Sequence, residues 1–131
     1  MEFLERDLAA NKDRDPKFVF FHRPFWLLPV MFQTSDFPFH RLARKYGVRF
    51  VVSGHGHQFV RFVQDGIVYL EAGSSGGKLK GTGFARGWFY GRVDASVQES
   101  NVGMTVHEIG APFGEGRTFD ADALGINGLK K

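Results

Sequence analysis

Two short apolar runs, Lys17–His22 (KFVFFH) and Val48–Ser53 (VRFVVS), constrain this chain more than any other feature. Both have the length and the Phe/Val content of buried strands, and prolines (Pro16 and Pro24) flank the first. Between them, Pro38–Tyr46 places Phe39, Leu42 and Ala43 on one helical face, with Gly47 as a C-terminal stop. Ahead of them, residues 2–11 read as a helix with Leu4 and Leu8 on a shared face. Asn11 ends it and Pro16 bars continuation. The order helix, strand, loop, helix, strand predicts an α/β architecture.

The texture then changes. Asp65-Gly66 lies between Gln58–Gln64 and Ile67–Ala72, and Asp-Gly between apolar runs signals a tight hairpin. A Gly-rich loop covers 73–83, and Gly87–Ala95 and Val102–Ile109 read as two antiparallel strands. Arg23–Asp36 is apolar but holds Pro24 and Pro29, so it reads as a loop that packs down or covers something. Residues 111–131 have weak periodicity and are expected to run over the surface as a tail. The expected inventory is two helices and about six strands. The 17 Gly and 15 Phe suit a strand-and-loop protein whose aromatic groups are buried or sit in an interface.

With 131 residues the chain suits one domain. The formal charge of +3 is scattered and interrupted by Asp and Glu, which does not indicate a nucleic-acid footprint but suits anionic substrates. There is no Cys, so disulfides and thiolate metal sites are excluded. No apolar run has the length of a membrane span, and no signal-peptide pattern follows Met1; neither feature assigns a compartment.

Chemistry concentrates at Ser53–His57 (SGHGH), directly after the VRFVV run. Ligands of open α/β sheets sit at strand C-terminal ends. Two His one residue apart, with Gly on both sides of the first, can turn both imidazoles toward one point, and imidazole binds Zn, Mn, Fe and Ni. A bare His-x-His is more often a pair of turn histidines; the strand and the glycines shift the balance. His22 also ends an apolar run, FFHRP, and on a parallel sheet it would share a rim with residues 54–57. Three His at one strand-end rim form a metal-site arrangement, whereas His22 alone reads as a hydrogen-bonded core-edge residue. Arg23 either contacts a phosphate bidentately or stands as a solvated rim charge.

Strand, His22-Arg23-Pro24, then strand and Gly54-His55-Gly56-His57, resembles the last two motifs of the calcineurin-like metallophosphoesterases. The first helix (Phe3, Leu4, Glu5, Leu8) and the Tyr69–Ser74 stretch resemble the elements that flank those motifs, so the match spans roughly residues 1–95. The resemblance implies the C-terminal part of a metallophosphoesterase-type α/β sandwich over 1–110, with 111–131 as the tail. It implies hydrolysis of phosphate mono- or diesters at a dinuclear site of Mn, Fe or Zn. His22 and His55 would ligate one metal and His57 the other. Two metals roughly 4 Å apart hold the attacking hydroxide and clamp the charge developing on phosphorus.

The family's Asp-x-His, Gly-Asp and Gly-Asn-His-Asp/Glu motifs, which precede the His-Pro motif, have no counterpart before His22. The bridging carboxylate, the Asn ligand and the general-acid His are thus expected elsewhere. Asp7, Asp13 and Asp15 read as helix-surface and turn residues. The expectation is a half-site that holds at most one metal weakly, is inactive alone, and exposes surface that favours self-association. The alternative is a non-catalytic β-rich module that binds a metal or a protein. Ala72–Leu79 (AGSSGGKL) falls short of a P-loop, since Ala72 replaces the first Gly and Leu79 the final Ser/Thr, and it reads as a flexible loop near the rim. His40 and His107 are assigned no ligand role. Phe25 and Trp26 either wall a substrate or close the core.

Overall fold

The computed structural model describes residues 1–110 and 114–123. Its elements are α1 (Glu2–Ala10), β1 (Lys17–Phe21), α2 (Leu27–Met31), α3 (Pro38–Lys45), β2 (Val48–Ser53), β3 (Phe59–Gln64), β4 (Ile67–Ala72), β5 (Gly91–Gln98), β6 (Asn101–Ile109) and β7 (Glu115–Asp120). The mixed α/β class and the antiparallel pairing of the later strands agree with the sequence reading. The inventory does not: three helices and seven strands are present among the described residues, in two sheets.

The first sheet has the order β1-β2-β4-β3, with β1, β2 and β4 parallel and β3 antiparallel to β4. Asp65 (φ 49°) and Gly66 (φ 77°) form the two-residue hairpin turn, both left-handed as a twist-matched turn requires. One row, Val19–Val51–Tyr69–Phe62, crosses all four strands and is buried beneath the helices. There it meets Leu8, Trp26, Val30, Phe39, Leu42 and Ala43. Because side chains alternate along a strand, Leu70 and Phe59 face the other way, into a second cluster with Phe89, Val106 and Ala121. The molecule is thus layered as helices, four-stranded sheet, three-stranded sheet.

Four sequence expectations need correction. Arg23–Asp36 contains α2, because Pro29 falls in the first turn, where a missing N–H breaks no intrahelical bond. The strand expected from Gly87 begins at Gly91, since Phe84–Arg86 is a 3-10 turn and Gly87 is left-handed (φ 81°). Within the expected tail, Glu115–Asp120 pairs with β6 as β7, and the expectation for 111–113 and 124–131 lies outside the described residues. Finally, β1 is an edge strand with one open face, so Phe20 is 70% exposed while Val19 is buried. No helix among the described residues is long and apolar enough to cross a membrane.

Candidate metal centre

The parallel register builds the site. Phe21 pairs with Ser53 and Ser53 with Glu71, so the next residues of β1 and β2, His22 and Gly54-His55, leave the sheet together. The Gly54 N–H donates to the His22 carbonyl (3.2 Å) and ties the two strand ends. His22 Nε2 and His55 Nδ1 then lie 3.2 Å apart, with the rings nearly perpendicular.

The glycines of SGHGH do not take the unusual backbone angles. His55 (φ 77°) and His57 (φ 63°) do, in a region that residues with a Cβ seldom occupy. Gly54 has open space around a would-be Cβ. Gly56 is required for room: a Cβ there would lie 2.0 Å from Glu71 Oε1. The reason for the motif is therefore different from the one the sequence suggested.

The structure brings together two of the three expected histidines. His57 turns its Nδ1 to the Lys78 carbonyl (2.8 Å), and its ring packs against Gly77, where a Cβ would sit 2.4 Å from Cε1. A carbonyl only accepts, so Nδ1 carries the proton and Nε2 keeps the lone pair. Ligating histidines are oriented in this way by a backbone acceptor on the opposite nitrogen. Among the described residues, no group of three or more His, Asp or Glu side chains is arranged to hold a metal ion.

The surroundings are electropositive. Partial desolvation holds the His55 imidazole below its usual range, and Arg23, His22, Lys80 and His57 add to the effect in that order. A neutral imidazole is the form that binds metal. The exposed Arg23 therefore lies within electrostatic reach of His55, and Lys80 Nζ donates to the His55 carbonyl at 3.3 Å.

Sequence reasoning missed Glu71, which is 1% exposed and lies beneath the loop. Burial raises its carboxyl above the usual range, while the Gly56 and Gln58 N–H groups, Lys80 and His57 act in the opposite direction. The available signal was a charge inside the apolar run IVYLEA at a strand end, because a buried charge is more informative than an exposed one. The two side chains with an open reading are resolved differently. Trp26 is fully buried with its ring 5.1 Å from Tyr69 and closes the core, whereas Phe25 is half exposed and packs edge-on to Phe21 and Phe39. No family model matches the chain and no curated protein matches it, so the family resemblance rests on the residues of the two motifs.

Proposed function

We propose that this chain supplies the histidine half of a dinuclear metal site that hydrolyses phosphate mono- or diesters, in the manner of the calcineurin-like metallophosphoesterases. The observation that carries the reading is the 3.2 Å separation of His22 Nε2 and His55 Nδ1 at the sheet rim. Metal–nitrogen bonds of roughly 2.1 Å, at angles between octahedral and tetrahedral, place neighbouring ligand nitrogens about 3.0–3.4 Å apart. The separation of the pair therefore matches that of two ligands to one divalent ion. His57, turned elsewhere with its Nε2 lone pair available, fits the role of ligand to a second ion.

Two divalent ions supply a nucleophilic hydroxide and stabilise charge on phosphorus. The chain's own residues do the rest. His22 and His55 present ring nitrogens 3.2 Å apart, the Lys78 carbonyl fixes the His57 tautomer, and Arg23 and Lys80 give the rim the positive potential that draws in a phosphate ester. Arg23 is the residue proposed to contact the phosphate.

Zinc and manganese titrations of the wild-type chain and of a His55→Ala/His57→Ala variant test this reading. The expected result is weak binding of about one ion per chain by the wild type and none by the variant. Equal binding by both would place any metal elsewhere.

A further inference from the structure

Glu71 sits at the C-terminal end of β4, in the same cross-strand row as Ser53 and Phe21. It is 1% exposed, and its Oε1 has no hydrogen-bond partner. A carboxylate is retained in so buried a place only where something compensates it. Burial pushes this carboxyl above its usual range and the Gly56 and Gln58 N–H groups only oppose that, so what the structure shows holding the group in place is its contact with the loop above. The backbone at Gly56 presses so close that a Cβ would stand 2.0 Å from Oε1 and 2.8 Å from the carboxyl carbon.

That contact falls at the centre of the His55-Gly56-His57 turn. The flanking residues hold left-handed angles, which persist only when their surroundings over-determine them. Other contacts grip the turn at its ends: Gly54 to the His22 carbonyl, Lys80 to the His55 carbonyl, and His57 to the Lys78 carbonyl. Glu71 is the side chain that reaches its middle from below.

We infer that Glu71 is a positioning residue: its buried carboxylate holds the His55-Gly56-His57 turn in its left-handed shape and so sets the aim of both imidazoles. The metal readout of this inference rests on the reading proposed above, and the imidazole readout does not.

The test compares wild type, Glu71→Gln, Glu71→Ala, Gly56→Ala and the double variant Gly56→Ala/Glu71→Ala. Each is measured for zinc affinity against a chromophoric chelator, for imidazole nitrogen NMR signals in the metal-free protein, and for thermal unfolding. Glu71→Gln is expected to fold, to shift the His55 and His57 signals, and to weaken zinc binding by about 10–100-fold, the usual effect of losing a partner behind the ligands. Gly56→Ala should do the same, since its methyl strikes the carboxylate. The double variant should recover part of the binding lost in Gly56→Ala, because the struck group is gone.

A Glu71→Gln protein that melts earlier with unchanged imidazole signals would reduce Glu71 to a structural role and overturn the inference. Strictly additive losses in the double variant would also overturn it. If wild type binds no zinc, the metal reading fails, and the imidazole signals still decide the role of Glu71. If Glu71→Gln does not fold, Gly56→Ala and the double variant decide it.

Discussion

His40, on the buried face of α3, has both ring nitrogens engaged: Nδ1 lies 2.6 Å from the Tyr69 hydroxyl and Nε2 lies 2.8 Å from Asp65 Oδ2. His55, at the sheet rim, faces a second imidazole across 3.2 Å. His40 is fully buried on a regular helix, and His55 is exposed at φ 77°. The contrast separates two uses of one side chain. In the buried network each nitrogen meets a group of complementary kind, so the histidine is structurally satisfied. At the rim two imidazoles share one N···N hydrogen bond, the backbone is held in a sparsely occupied region, and Arg23 and Lys80 lie nearby. It is for this rim pair, and not for His40, that a metal role is proposed.

The comparison can be broken most severely at His40. His40→Ala strips the Tyr69 hydroxyl and Asp65 of a shared partner and opens a cavity, and it should cost about 2–4 kcal/mol in urea unfolding. Its zinc affinity should stay at the wild-type level. A loss of metal binding in that variant would join the two regions that the account keeps apart.

His55→Gly should do the reverse. Glycine takes φ 77° without strain, so the thermal midpoint of the metal-free protein should rise by about 2–5 °C while zinc binding is lost. An unchanged or lowered midpoint would mean that the left-handed angle is not a cost at this position.

A smaller effect concerns acid. Asp65 is held below its ordinary pKa of 3.8, first by the hydrogen bond with His40, then by Ser35 and Arg44. A carboxyl whose folded pKa is depressed contributes stability that is fully present above about pH 4 and is lost as pH falls through the folded value. His40→Ala should therefore move the acid-unfolding midpoint upward when followed by tryptophan fluorescence. An unmoved midpoint would show that Asp65 draws its stabilisation from Ser35 and Arg44 alone.

Much of the frame was legible in the residues. The hairpin at Asp65-Gly66, the Gly47 stop (φ 66°) and the strands β1 and β2 follow from local chemistry, which the fold leaves undisturbed. The helix α2 was hidden by Pro29, because a proline breaks a helix in its interior and is tolerated in its first turn. β7 was hidden because its stability comes from pairing with β6 rather than from its own pattern. At the site, the sequence placed His22 and His55 on one rim. It could not show that His57 turns to the Lys78 carbonyl, nor that Gly56 is needed for room over Glu71, since both depend on how distant loops pack.

The central claim is that the rim histidines, and not the buried one, bind a divalent ion. The most direct test is the metal content after dialysis of the wild-type chain, of His55→Ala/His57→Ala and of His40→Ala. The account predicts about one weakly held ion in the wild type and in His40→Ala, and none in the double variant. Metal retained by the double variant, or absent from all three proteins, would contradict it.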